Sequence, residues 1–206
     1  MVHALIRGVL TLLTVIGSDA YAGTVEQAYV TADPQMQVKK GAIQGCGYRL
    51  MSIPMSAVPG QGDVVMLDAS FNVYSNALSL LKAGVVRMKS KNGAVGQTIN
   101  MPLEGFWLKV PDKKPTSPLN DKYVTAETPG YMLAGTDITY VMALFDAVWN
   151  AKPITVGVRV RGEPIDRIYV GVPQLSAEDR AQGQQCVDHL VDQMQTETDK
   201  EQKPAR

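Results

Sequence analysis

Residues 65–74 carry the pattern that most restricts the possible fold of this chain. Apolar side chains occupy every second position, and Asp68, Ser70 and Asn72 lie between them. A repeat of two residues indicates a β-strand with one buried face. We therefore predict a sheet-rich domain, because half-buried strands must be covered by other layers of structure. The same kind of pattern indicates further strands at 84–90, 94–101, 105–110, 154–160 and 165–172.

Two pairs of these strands are predicted to form hairpins. Asn92-Gly93 lies between the second and third strands, and this dipeptide readily adopts the positive φ angles of a two-residue turn. Gly162-Glu163-Pro164 lies between the last two strands. Hairpins join antiparallel neighbours, and the polar alternate positions indicate an antiparallel sheet with one solvated face.

Two later segments change to helical spacing. Thr136 or Asp137 provides an N-cap for apolar residues that follow the helical period from 138 to 149. A C-terminal helix follows Ser176, since Asp179 three residues later resembles a capping box. The sequence therefore predicts an α+β fold, a mainly antiparallel sheet (sandwich-like as an alternative) with a mid-chain and a C-terminal helix.

Cys46 and Cys186 are the two cysteines of the chain. An even number without close spacing indicates one disulfide if the protein reaches an oxidising compartment. A soft-metal site with two thiolate ligands and a pair of free thiols are the alternatives. The disulfide would tether the C-terminal helix, on its apolar stripe, to an early strand around Cys46.

The first 22 residues have the form of a secretory signal peptide. Arg7 precedes an apolar run at 9–16, and Ala20-Tyr21-Ala22 provides a small-residue cleavage site. The run is shorter than the roughly 20 residues needed to span a bilayer. We therefore expect a periplasmic or secreted protein without a membrane span in the mature chain. The predicted organisation is a signal peptide at 1–22, a weakly ordered segment at 23–40, one globular α+β domain at 41–195 and a disordered polar tail at 196–206.

The composition argues against several classes of function. Twenty basic residues balance twenty acidic ones, and no basic block is present, so we expect no nucleic-acid partner. His189 is the only histidine after residue 22, and a Ser-His-Asp or Cys-His hydrolase would depend on it. The sequence contains no metal-ligand motif such as HExxH. We therefore predict no catalytic set, no metal and no cofactor.

The polar face of the strand at 65–74 is one candidate for a ligand or partner surface. Asp68 and Tyr74 lie on that face, and Asp68 with Glu104 is a candidate pair of catalytic carboxylates. A hydrated face without a binding role is the simpler interpretation.

Aromatic and basic side chains give two further candidate surfaces. Trp107 alternates out of phase with its apolar neighbours, so it either packs under a helix or forms an aromatic platform with Phe106 and Tyr131. Three arginines on the last hairpin form a basic stripe that either meets an anionic partner or stays hydrated. They are Arg159, Arg161 and Arg167.

These observations favour an exported, non-enzymatic protein that recognises a protein partner in the cell envelope. An assembly accessory, an interaction module and an inhibitor all fit this description. A small-ligand-binding protein of the envelope is the alternative, with its site near Asp68 or near Trp107. A carboxylate-dependent hydrolase is a third hypothesis.

Overall fold

The computed structural model describes residues 23–57, 62–91, 94–119 and 122–201. The predicted signal peptide and the predicted turn at Asn92-Gly93 lie outside these residues. Within them, eleven strands form one sheet and two helices pack on it. The elements are β1 (Gly23–Lys39), β2 (Ala42–Pro54), β3 (Val64–Tyr74), β4 (Ser79–Lys91), β5 (Ala94–Met101), β6 (Leu103–Lys109), β7 (Val124–Thr125), β8 (Met132–Gly135), α1 (Ile138–Trp149), β9 (Ile154–Val160), β10 (Asp166–Gly171), β11 (Pro173–Gln174) and α2 (Ala177–Glu201).

The strand order is β6-β9-β10-β1-β2-β3-β4-β8-β7, with β5 also paired to β4 and β11 to β1. Most neighbours are antiparallel, while β1 runs parallel to β10 and β11. β1 links the two halves of the sheet, because residues 23–27 pair with β10 and residues 28–39 pair with β2. The predicted α+β fold with a mainly antiparallel sheet is confirmed.

The inner face of the sheet, which is the face that packs on α1, forms the core. Leu67, Ala69, Phe71 and Val73 of β3 are buried there, as their alternation predicts. Phe145 of α1 meets Phe71 edge to face, with 5.1 Å between the ring centroids. Side chains from β6, β9 and β4 belong to the same apolar cluster, so the sheet curls around α1 and buries its apolar side.

Both helices begin where the sequence predicts them. The Asp137 side chain accepts the Thr139 amide at 2.7 Å at the start of α1. The Ser176 hydroxyl accepts the Asp179 amide at 3.0 Å just before α2. These side chains satisfy amides that have no partner within a helix's first turn. Neither α1 nor α2, as far as the structure describes them, is long and apolar enough to cross a membrane.

The predicted disulfide joins Cys46 of β2 to Cys186 of α2. Tyr48, two residues further along β2, adds to the contact between β2 and α2. Its hydroxyl donates to the Asp179 carbonyl at 3.3 Å and accepts the indole N–H of Trp149 at 3.1 Å. The C-terminal helix is therefore held against the inner face by a covalent bond and by a buried tyrosine that contacts both helices.

At both ends of the domain the structure has regular elements where little order was predicted. The segment 23–40, predicted to be weakly ordered, is mostly the long strand β1. Its alternation is obscured because it changes pairing partner at residue 28 and is largely exposed after residue 32. The tail predicted to be disordered from residue 196 continues α2 to Glu201. Its polar sequence fits a helix end without a buried apolar stripe, and residues 202–206 lie outside the described part.

Candidate functional site

A hollow of about 680 Å³ lies on the outer face of the sheet, the face turned away from α1. Small-molecule sites in proteins typically enclose about 300–1,000 Å³. We call this hollow the polar groove. Strands β1 to β4 form its floor, and the turn at 126–131 between β7 and β8 forms one wall, which we call the wall turn. The polar side chains of the floor are Gln35, Gln37, Arg49, Asp68, Ser70, Asn72, Tyr74 and Lys82.

The polar face of β3 is far less hydrated than alternation alone suggests. Asp68, Ser70 and Asn72 are only 8%, 7% and 7% exposed. The wall turn and the long side chains of neighbouring strands remove them from water. Burying polar groups costs free energy unless they find hydrogen-bond partners. The structure provides such partners for Asp68, through Arg49 and Tyr131.

A buried carboxylate organises the floor of the groove. Asp68 accepts hydrogen bonds from Arg49 Nε at 2.8 Å and Nη2 at 2.7 Å, and from the Tyr131 hydroxyl at 2.8 Å. Two parallel bonds from a guanidinium to a carboxylate are a strong, orienting contact. The bond to Asp68 raises the pKa of Arg49, while burial first and then the bond to Asp68 raise the pKa of Tyr131. At neutral pH the Arg49 guanidinium is therefore charged and the Tyr131 phenol is neutral.

Tyr131 reaches Asp68 because its ring lies directly over Gly84 of β4. A Cβ at position 84 would lie 2.4 Å from three ring atoms, so any side chain there would expel the ring. The wall turn is tied down at a second point as well. The Asn100 amide of β5 donates to the Pro129 carbonyl at 3.0 Å. The wall of the groove is therefore fixed to β3, β4 and β5 before any ligand arrives.

Lys82 is the second cation of the groove. Its ammonium donates to the Thr128 hydroxyl at 3.3 Å and lies 5.2 Å from the centre of the Tyr131 ring, within cation–π range. Among the described residues, no carboxylate lies within ion-pair distance of Lys82. The groove's acidic members are Asp68 and Glu127, so two cations and two carboxylates give it no net charge.

Asn72 is a buried amide with unused hydrogen-bonding capacity. Its side chain lines the groove, and its carboxamide oxygen is buried without a hydrogen-bond partner in the part of the chain described. Tyr74, two residues along the strand, accepts a hydrogen bond from the Gln37 amide at 3.0 Å. Amides and hydroxyls both donate and accept, so this end of the groove suits ligands that are rich in hydroxyl or amide groups.

Trp107 lies in a different and smaller hollow. Its ring packs over Gly157 of β9, and about 330 Å³ of open space adjoins it beside Glu104 and Tyr123. Phe106 is buried in the core, and Tyr131 belongs to the polar groove, so the three aromatic residues form no common platform. Asp68 and Glu104 line separate hollows and do not form the carboxylate pair of the hydrolase hypothesis.

The three arginines do not form an open basic stripe. Arg159 is paired with the buried Asp166, and Arg167 makes two bonds of 2.7 Å to the carboxylate of Glu163. The hydrogen bond from Arg167 lowers the pKa of Glu163. Arg161 is exposed at the end of the hairpin. Two of the three charges are therefore neutralised by carboxylates that the sequence analysis did not assign to them.

The polar groove brings together residues that no single sequence pattern links. Asp68 and Tyr74 are where the polar-face hypothesis places them, but Arg49 and Lys82 were missed. A signal was present for Lys82 and Gly84, which are out of phase with the apolar positions of β4. Comparisons with protein-family models, with curated proteins and with solved structures give no match to this chain. A functional assignment therefore rests on the chemistry of the groove.

Proposed function

We propose that this chain is an exported, non-enzymatic binding protein that takes a small polar ligand in the polar groove. The observation that carries the proposal is a groove whose walls and floor are fixed by internal hydrogen bonds and whose lining is mainly polar. Preorganised sites bind more tightly because little ordering is left to be done on binding. The disulfide supports export, since such bonds persist in oxidising compartments.

A binding role fits the groove better than catalysis does. The Asp68 carboxylate already accepts three hydrogen bonds, which leaves it poorly suited to take a proton from a substrate. Burial and the bond to Asp68 raise the pKa of Tyr131, and the bond to Asp68 raises the pKa of Arg49, so both stay protonated. The groove therefore offers recognition by hydrogen bonds and charge, and it lacks an activated acid–base pair.

Ligand screening by thermal unfolding, followed by NMR mapping of amide shifts, tests this proposal. A ligand at 100 times its Kd should stabilise the protein by about 2.7 kcal/mol. The shifted amides should lie in β3, β4 and the wall turn. Gln35→Ala inside the groove should weaken binding, and Gln97→Ala on the exposed part of β5 should not. If sugars, amino acids and nucleotides all fail to shift groove amides, the proposal is wrong.

Recognition of a protein partner is a second candidate, favoured by an apolar row elsewhere on the outer face. Tyr29 of β1 pairs with Ile53 of β2, and the register of β1 with β10 and β11 places Val172 on its other side. These side chains are 57%, 36% and 46% exposed. A contiguous exposed apolar patch is typical of a protein–protein contact.

Position-specific photocrosslinking tests this second candidate. A crosslinker at Tyr29 should give one discrete adduct in cells, and the double variant Ile53→Ser, Val172→Ser should abolish that adduct. A crosslinker at Asp188, which is exposed on α2, is the control and should give none. Equal labelling from both positions would show that the apolar row is not a specific contact.

A further inference from the structure

We infer that the ligand of the polar groove is a monoanionic saccharide, a sugar that carries one carboxylate. This inference rests on the proposed function and specifies its ligand. It is built on a row of three side chains across the floor. Arg49 of β2 pairs with Ser70 of β3, and Ser70 pairs with Lys82 of β4. A hydroxyl is thus flanked on both sides by cations.

Both cations retain donors for a ligand. Arg49 spends two of its five N–H groups on Asp68, and that contact fixes the plane of the guanidinium. Its side chain is still 44% exposed. Lys82 makes one hydrogen bond to a neutral hydroxyl and pairs with no carboxylate in the described part of the chain. A ligand acceptor lying over Ser70 would receive bonds from both sides.

The charge balance of the groove favours one negative charge over two. Asp68 and Glu127 already offset the formal charges of Arg49 and Lys82. A phosphate dianion would leave the groove with two excess negative charges and a monoanion with one, and such an excess is costly where water is partly excluded. A single carboxylate can use the unspent donors at a smaller cost.

The rest of the groove fits a body that is rich in hydroxyl groups. Asn72 lies two residues along β3 from Ser70, about 7 Å away, and Gln35, Gln37 and Tyr74 surround that end. Their amides and hydroxyl donate and accept, as the hydroxyls of a sugar ring do. Polar side chains outnumber aliphatic ones in the lining of the groove, which argues against an acyl chain.

NMR titration of the oxidised protein with D-glucuronate, D-glucose and inorganic phosphate tests the inference. The two sugars differ chiefly in the carboxylate. We expect D-glucuronate to shift amides of 68–74, 80–84 and 126–131 and to bind at least about tenfold more tightly than D-glucose, since hydrogen bonds to charged groups are the stronger ones. The affinity for D-glucuronate should fall with added salt, and that for D-glucose should not.

Variants separate the two ends of the groove. Lys82→Met should weaken D-glucuronate binding about tenfold and leave D-glucose binding within about twofold. Lys89→Met removes the same charge from an exposed position of the same strand and should change neither. Asn72→Leu should weaken both sugars. Circular dichroism and thermal unfolding identify any variant that fails to fold, and the three wild-type titrations test the inference without variants.

The outcomes distinguish this inference from the proposed function. Equal binding of the two sugars at groove amides, without an effect of Lys82→Met, would overturn the inference that the ligand is acidic. The proposed binding function would still stand. Phosphate binding as tightly as D-glucuronate would overturn the choice of a carboxylate. If another class of compound bound at groove amides and neither sugar did, the inference that the ligand is a saccharide would be overturned. Only the absence of any groove ligand would overturn both proposals.

Discussion

Removal of the disulfide should cost this protein a large part of its stability. Cys46 and Cys186 are separated by 140 residues, so their bond closes nearly the whole domain into one loop. The entropy lost by the unfolded chain grows with the logarithm of loop length, which gives about 5 kcal/mol at 25 °C for a loop of this size. Small domains are stable by about 5–15 kcal/mol in total. The double variant Cys46→Ala, Cys186→Ala is therefore expected to lose between about a third and all of its stability.

Urea unfolding of the oxidised wild type, the reduced wild type and the double alanine variant measures this effect. The two proteins without the bond should unfold at lower urea concentrations. Their m-values should be larger, because the unlinked unfolded chain is more expanded. Comparing the reduced wild type with the variant separates the loss of the bond from the loss of two buried sulfur atoms.

The result that refutes the reasoning is specific. A loss below about 1 kcal/mol with an unchanged m-value would mean that the bond does not restrict the unfolded chain as the loop model requires. Hydrogen exchange adds a second criterion. Exchange should accelerate most in α2, whose other buried anchors beyond Cys186 are Val187 and Leu190. An α2 that stays fully protected without the bond would show that packing alone holds it.

Three further predictions concern single contacts. Gly183→Ala should destabilise the protein by about 1–3 kcal/mol, because the new Cβ would lie 1.8 Å from the Tyr48 hydroxyl oxygen; a gain in the melting temperature, as expected for an exposed helical glycine, would contradict this. Tyr131→Phe should cost about 1–2 kcal/mol in urea unfolding through the lost hydrogen bond to the groove carboxylate, and unchanged stability would contradict that role. Arg167 lowers the pKa of Glu163 below its usual value of 4.5, so the pair stabilises the fold fully above that pH and is lost as the pH falls through the lower, folded-state value. Glu163→Gln should therefore flatten the fall in unfolding free energy below pH 4.5, and superimposable acid profiles would exclude this.

Local patterns predicted the elements whose structure depends on near neighbours. The helix predicted for 138–149 matches α1, because its cap and its apolar period are both encoded within 13 residues. The strand at 65–74 matches β3 to within one residue. β1 escaped prediction because its two halves pair with β10 and with β2, and much of the second half is exposed. A single alternation cannot describe such a strand.

The groove depends on register, which a single sequence does not specify. Arg49, Asp68 and Tyr131 are separated by up to 82 residues, and only the pairing of β2 with β3 and the return of the wall turn over Gly84 bring them together. Alternation correctly separated the faces of β3. It did not indicate that the polar face would be covered, because the covering turn lies between two very short strands, β7 and β8.

The disulfide and the groove lie on opposite faces of the same strands, and this arrangement connects stability with binding. Cys46 pairs with Val73, which lies between Asn72 and Tyr74 of the groove floor. The bond therefore clamps α2 directly behind the floor, and a floor held on both faces has less freedom to lose on binding. We compare the exchange rate of each amide in the double alanine variant with its rate in the wild type. The acceleration should be larger for amides at 72–74 than for those of β9, which lies in the other half of the sheet. Faster exchange confined to α2 would show that the groove does not depend on the disulfide for its rigidity.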